Sequence, residues 1–191
     1  KNIRRNFAAR MVDDILLIKI LSFKQGVGEE VLQALHQHPD AEGIILDLRG
    51  NHGGILSEAV KITDMFLDEG IITYTDGKAG QAPEFYTAAA GDVTDNKPLA
   101  VLVDGYTASA AEILAAALSE QNRAVLIGTE TYGKGTVQNV VRMDSERAMA
   151  LTTAYFHTPS GAGIDKAGLK PGICTGNITA ADKLADADCV K

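Results

Sequence analysis

This 191-residue chain has little cysteine, no basic excess and no long apolar run. Each shortage excludes something. Lys and Arg total 18 against 25 Asp and Glu, and no basic cluster exceeds "IRR" at residues 3–5. That balance is the opposite of a nucleic-acid binder's. No apolar stretch approaches the ~18 residues a transmembrane helix needs. Four scattered histidines give no H-E-x-x-H, and two cysteines give no C-x-x-C, so a metal site is not expected. Cys174 and Cys189 stand 15 apart in a polar tail. They read either as a disulfide, if the compartment is oxidising, or as two free thiols. The chain opens on Lys1 without an apolar leader, so it reads as an internal piece whose targeting segment is missing.

What is present suits one globular domain, with 46% hydrophobic residues and 23% charged. Residues 1–12 are polar and basic and read as a connector, residues 13–175 as the core and 176–191 as a tail. "ILLIKI" (15–20), "GIILDL" (43–48), "LAVLVD" (99–104) and "AVLIG" (124–128) read as buried strands, and "IITY" (71–74) as a short one. Val27, Val31 and Leu35 suggest a helix that stops at Pro39, and helical spacing returns from Ile55 to Leu67. "TASAAEILAAALSEQ" (107–121) is a third helix, with Ala110, Ile113, Leu114, Ala117 and Leu118 on its apolar stripe. Residues 76–97 form the loosest segment. Alternating strands and helices predict an α/β fold with mostly parallel pairing. Residues 136–143 and 148–158, joined through "DSER", predict a C-terminal β-hairpin.

Three short stretches carry the chemistry. "GTETYGKGT" (128–136) falls one residue short of a phosphate-binding loop. It puts Gly135 where a Mg²⁺-binding hydroxyl belongs, and a strand rather than a helix follows it, so nucleotide binding is rejected. Alone, Lys134 would be a surface lysine in a turn. Ser109-Ala-Ala-Glu112 matches a capping box, and on that motif alone a helix cap is the better reading of Ser109; Glu112 is likewise assigned to the cap, ahead of holding a turn, and Glu120 to a solvated face. "LDLRGNHGG" (46–54) runs a strand into paired glycines, which let main-chain N–H groups approach a ligand closely.

Together, "LDLRGNHGG", "VLVDGYTASAAEI" and "GTETYGKGTVQ", in that order, resemble the carboxyl-terminal processing peptidases (family S41), the tail-specific Ser/Lys endopeptidases. The resemblance covers about residues 13–173 and extends into "LTTAYFHTPSGAGIDKAGLKPGI" (151–173). It implies Ser109 as nucleophile, Lys134 as general base and Gln138 as the residue orienting the lysine amine. It implies an oxyanion hole from the N–H groups of Ala110 and Gly54, with Gly53 open as the alternative to Gly54. Two departures stand out. Thr107 and Ala111 occupy positions where the family often has serines, which leaves Ser109 the only serine of its segment, and His52 replaces a frequent proline. The resemblance also implies a crotonase-like (ClpP-like) ββα superhelical core, polypeptide substrates cut near their C-termini, and no cofactor. It implies an extracytoplasmic site, periplasmic or in a chloroplast lumen, and a PDZ domain that lies outside these residues.

The chemistry sets a demand. A serine hydroxyl attacks only when a base takes its proton. A lysine does so only when neutral, and moving its reference value of about 10.4 to about 7 requires roughly 4 kcal/mol of differential destabilisation of the ammonium. Burial supplies shifts of that size, so Lys134 is expected to sit in an apolar pocket between "AVLIG" and "TVQNVV", with neutral Gln138 beside it. A Ser-His-Asp arrangement using His52 or His157 lacks the G-x-S-x-G elbow. A non-catalytic peptide-binding module on the same core is the competing reading.

Overall fold

The computed structural model describes residues 6–77, 82–144 and 147–175. Four apolar runs, at residues 15–20, 43–47, 99–103 and 125–128, build the middle of the first sheet. β1 (Phe7–Val12), β2 (Ile15–Ile20), β3 (Gly43–Asp47), β6 (Leu99–Val103), β7 (Val125–Gly128) and β10 (Ile173–Cys174) lie in the order β1-β2-β3-β6-β7-β10. Pairing is parallel from β2 through β10, and only β1 runs antiparallel. Parallel strands need helical crossovers. These are α1 (Val27–Gln37) after β2, α2 (Leu56–Asp64) after β3 and α3 (Ala110–Glu120) after β6. Leu16, Ile18, Ile20, Leu46, Leu48, Val101, Leu114 and Leu118 are buried in one core.

The second sheet is antiparallel. β4 (Ile71–Gly77), β5 (Glu84–Thr87), β8 (Thr136–Arg142) and β9 (Ala148–His157) lie in the order β5-β4-β9-β8. β8 and β9 form the expected hairpin, with one register shift between Val137 and Gln138. The whole is a mixed α/β fold.

Three elements differ from the sequence expectation. Phe7–Val12, read as part of a connector, is strand β1, paired with β2 from Phe7↔Ile20 to Val12↔Ile15. Its basic and exposed residues hide a half-buried alternation in which Phe7 and Ala9 pack on the core. The loose segment 76–97 contains β5, whose residues are mostly exposed and so give no apolar pattern. β10 is two residues long, too short for any periodicity. Cys189, and with it the Cys174–Cys189 pairing and the 176–191 tail, lies outside the described residues. No helix among the described residues is long and apolar enough to cross a membrane.

Candidate active site

The first sheet delivers the relevant turns to one place, because in a parallel sheet every strand-to-helix connection leaves from the same end. After β3 the chain turns through Arg49–Gly54 into α2. After β6 it turns through Asp104–Ser109 into α3. After β7 it runs through Thr129–Gly135 into β8.

Ser109 is the N-cap of α3 and adopts φ 58°, ψ −122°. A non-glycine residue at positive φ is strained by about 1–3 kcal/mol and persists only where surroundings enforce it. Here the enforcement is visible. The Ser109 N–H donates to Glu112 Oε2 at 2.8 Å, and the Glu112 N–H donates to the Ser109 carbonyl at 2.8 Å. Behind Ser109 lies Gly53 at φ 93°. A β-carbon there would sit 2.9 Å from Ser109 Cβ and 2.8 Å from the Ala108 carbonyl. Only glycine allows this approach.

Glu112 does more than cap the helix. It is fully buried, and its carboxylate accepts four bonds. Oε2 takes the N–H of Ser109 and, at 2.9 Å, that of Lys134; Oε1 takes the Thr131 hydroxyl at 2.6 Å and the Gly133 N–H at 2.7 Å. The cap and turn-holding roles weighed from sequence are thus one role. Glu112 ties the serine segment directly to the lysine segment, alongside the Tyr132 N–H, which donates to the Thr107 carbonyl at 3.0 Å. Thr131, also fully buried, extends the tie by accepting the Leu169 N–H at 2.7 Å.

The glycine turn is fixed in the same way. Asn51 is fully buried. Its Nδ2 donates to the Ile20 carbonyl at 3.1 Å, its Oδ1 accepts the Gly53 N–H at 2.8 Å, and its carbonyl accepts the Ala108 N–H at 2.9 Å. The Gly53 N–H is thus engaged with Asn51, and Gly54 is the glycine of the pair that lines the cleft. Asp104 spans the two turns, accepting N–H groups from Gly50, Tyr106 and Thr107. The Thr107 hydroxyl donates to the Leu48 carbonyl at 3.0 Å, so the departure from serine retains a structural hydroxyl. At the base of the turn, Asp47 accepts Lys19 Nζ and Arg49 Nε, each at 2.9 Å. Burial pushes the Asp47 carboxyl up, but those hydrogen bonds outweigh it and hold it below the ordinary range.

Gly54, Ser109, Ala110, Lys134 and Gln138 all line one cleft, with Leu56, Ile113, Thr136, Val137 and Phe156 as the rest of its wall. Every residue picked from the sequence is therefore brought together from separate segments. Lys134 nevertheless departs from expectation. Its side chain is exposed and Ser109 is half-buried, so the apolar enclosure expected around the amine is absent here. The tight contacts of the lysine turn are made by glycine main chain: a β-carbon on Gly135 would lie 2.3 Å from the Asp165 nitrogen. Gln138 is exposed as well.

Asn51, Asp104 and Thr131 went unassigned from sequence, and the turn-holding role of Glu112 was placed second to the cap, although all lie within or beside the quoted motifs. The usable signal was their chemistry: small polar side chains and one carboxylate inside turns flanked by buried strands, where main-chain N–H groups need acceptors. The histidines stand apart. His157 stacks on Tyr74 and its Nε2 lies 3.0 Å from Asp76, His52 packs edge-on to Tyr106, and none lines the cleft among the described residues. Glu120, read as solvated, is exposed and also accepts the Ser160 N–H at 2.8 Å. No group of three His, Cys, Asp or Glu among the described residues is placed to hold a metal.

The chain is 38% identical over 170 residues to a carboxy-terminal-processing protease of Bartonella bacilliformis, covering 86% of this chain and 39% of that protein. It is 41% identical over 157 residues to the carboxy-terminal processing protease CtpA of Bacillus subtilis, covering 81% and 33%. It thus spans well under half the length of these relatives. Among solved structures, the photosystem II D1 C-terminal processing protease superposes with a TM-score of 0.76 at 31% identity, over 84% of this chain and 42% of that one. A lipoprotein from Streptococcus agalactiae shares the fold, with a TM-score of 0.75 at 21% identity over 91% and 66%. The model of peptidase family S41 matches residues 14–175, and the chain belongs to that family.

Proposed function

We infer that this chain is the catalytic core of a serine endopeptidase that cuts polypeptides near their C-termini. The carrying observation is the convergence of Ser109, Lys134, Gln138, Gly54 and Ala110 on one cleft from separate turns. In this reading Ser109 Oγ attacks the scissile carbonyl carbon while its proton passes to Lys134 Nζ. The N–H groups of Gly54 and Ala110 stabilise the resulting oxyanion, and Ala110 stands in the first turn of α3, where helix N–H groups lack internal partners and the dipole is positive. Collapse of the intermediate expels the amine, which takes the proton from Lys134. Water then hydrolyses the ester on Ser109 and restores the hydroxyl. Gln138 orients the lysine amine without adding a charge that would favour the ammonium.

The core is of the crotonase-like ββα type in this reading, and the site is extracytoplasmic, periplasmic in a bacterium. A PDZ domain belongs to the rest of the protein, beyond the part considered, in keeping with the greater length of the relatives. The exposed Lys134 is the observation that favours the other reading, a peptide-binding module without catalysis.

Labelling with a fluorophosphonate probe separates the two. Labelling of the wild type that disappears in Ser109→Ala supports the peptidase; labelling unchanged in that variant removes it. Hydrolysis of an unfolded protein should also fall as pH is lowered, since an ammonium has no lone pair to accept the serine proton.

A further inference from the structure

The three turns that meet around Ser109 each carry one exposed aromatic side chain that the cleft does not use. His52 comes from the glycine turn, Tyr106 from the turn before α3 and Tyr132 from the lysine turn. Tyr106 is 65% exposed and Tyr132 59%. Neither they nor His52 lines the cleft. Rings left in water add nothing to the core, and tyrosine is among the residues enriched where proteins grip other chains.

Two of the rings form a fixed pair. His52 and Tyr106 meet edge to face, with centroids 6.0 Å apart and planes at 77°. A crossing near a right angle leaves a corner between the rings, a shape that receives a flat or branched apolar side chain. The main chain beneath the pair is held. Asp104 Oδ1 accepts the Gly50 N–H and the Tyr106 N–H, each at 3.0 Å, so one carboxylate sets both turns. The Tyr132 N–H donates to the Thr107 carbonyl at 3.0 Å, which brings the third aromatic residue beside the same turn. Fixing a binding surface in advance lowers the ordering cost of binding.

The corner's place relative to Ser109 follows from the glycine turn. Gly54 lines the cleft, Gly53 packs behind Ser109, and His52 emerges beyond it. The corner thus lies on the flank of Ser109 away from the cleft. The cleft itself holds the apolar wall of Leu56, Ile113 and Phe156 together with Gly54 and Ala110. A scissile carbonyl held by the N–H groups of Gly54 and Ala110 keeps its own residue on the cleft side. The chain after the scissile bond then leaves across the opposite flank.

We propose that the corner formed by His52 and Tyr106 is a specificity subsite for the leaving-group side of the polypeptide, where it takes an aromatic or branched apolar side chain just beyond the scissile bond. The proposal rests on the peptidase reading. In a cut near a C-terminus the departing piece is short, so a grip on one of its side chains is a large share of all that holds it.

The test is cleavage of quenched fluorescent peptides by the full chain. The peptides share one sequence up to the scissile bond and carry Ala, Ser, Leu or Phe directly after it. The wild type should cut the Leu and Phe peptides with kcat/KM about tenfold above the Ala and Ser peptides, the low end of what an apolar pocket discriminates. Tyr106→Ala and His52→Ala should each bring that ratio close to one, whereas Tyr106→Phe, which keeps the ring, should retain it. Fluorophosphonate labelling is read in parallel, since the probe expels fluoride and carries no residue on the leaving-group side. Its rate should be the same in wild type and Tyr106→Ala. A wild-type ratio near one, a ratio unchanged by Tyr106→Ala, or a loss shared equally by all the peptides overturns the subsite. Slower labelling in Tyr106→Ala overturns it too, because the ring would then act on Ser109 itself. A wild type that neither labels nor cuts removes the peptidase reading and the subsite with it, whereas intact labelling with a flat peptide series removes the subsite alone.

Discussion

The floor and the rim of the cleft are built on opposite principles. Beneath the cleft, Asn51, Thr107, Glu112 and Thr131 are fully buried, and the hydrogen bonds among them and the neighbouring main chain fix the turns. At the rim, Lys134 and Gln138 are exposed and Ser109 half-buried. The fold thus spends its rigid polar contacts on backbone positions, on the strained φ of Ser109 and the approach of Gly53, and leaves the side chains proposed to act open to solvent. Catalytic power of the oxyanion-hole kind depends on donors whose orientation is set before reaction. An open rim suits a site whose dry walls are completed by the substrate itself.

Breaking the floor should therefore cost folding and activity together. Glu112→Ala leaves the Ser109, Gly133 and Lys134 N–H groups and the Thr131 hydroxyl without their acceptor in a fully buried place. A loss of about 3–5 kcal/mol is expected, on the scale of removing one partner of a buried charge network. Calorimetry should show Tm falling by about 10 °C, given roughly 2–4 °C per kcal/mol at this size. Gly53→Ala comes next. Both the positive φ and the 2.8 Å approach to the Ala108 carbonyl resist a β-carbon. About 2–4 kcal/mol is expected from backbone strain and overpacking combined, with kcat falling more than KM rises, because Ser109 and the oxyanion donors shift. Asn51→Ala should cost about 2 kcal/mol, by freeing the Gly53 N–H and exposing the Ile20 carbonyl to no partner. Urea unfolding monitored by fluorescence of the tyrosines checks both. At the rim, Gln138→Ala should leave Tm unchanged within about 1 °C, as surface substitutions do, while reducing kcat about tenfold or more if the glutamine orients the base. Equal losses at floor and rim would erase the distinction.

How much of this was legible before the structure depended on what kind of signal each part leaves. The parallel strands β2, β3, β6 and β7 are apolar runs, and the β8–β9 hairpin is a β-branched run interrupted by a polar turn, so both could be read residue by residue. Ser109, Lys134, Gln138, Gly54 and Ala110 were found through motif resemblance, since no periodicity marks them. β1 was hidden by Arg10 and the exposed half of its alternation, and β5 by having almost no buried residue. The exposure of Lys134 was illegible for another reason. Its neighbours in sequence are glycines and apolar strands, but burial is decided by what crosses the cleft from elsewhere in the chain. The Glu112 tie spans 22 residues to Lys134, and a capping box read locally accounts for the carboxylate, which is why the cap ranks ahead of the turn-holding role in the sequence.

The smallest expected effect lies away from the cleft and serves as its control. Glu58 on α2 accepts the Gly26 N–H at 2.9 Å and the Gly28 N–H at 2.8 Å, holding the first turn of α1 as Glu112 holds the first turn of α3. The bond from the Gly26 N–H lowers the carboxyl's affinity for protons; burial opposes it, and the Gly28 bond adds to it. A carboxyl held below its ordinary range in the folded chain contributes stability that is present above the unfolded value, about 4.3 for glutamate, and lost as pH falls through the lower folded value. Glu58→Gln should thus lower stability at neutral pH by about 1 kcal/mol, and the gap to wild type should close as the pH of the melt is taken below about 4. Peptidase activity per folded molecule should stay unchanged across that series. A gap that persists at low pH would mean that Glu58 acts through packing and not through its charge, and a selective loss of activity would mean that the turn before α1 reaches the cleft through the Phe23–Gly54 bridge.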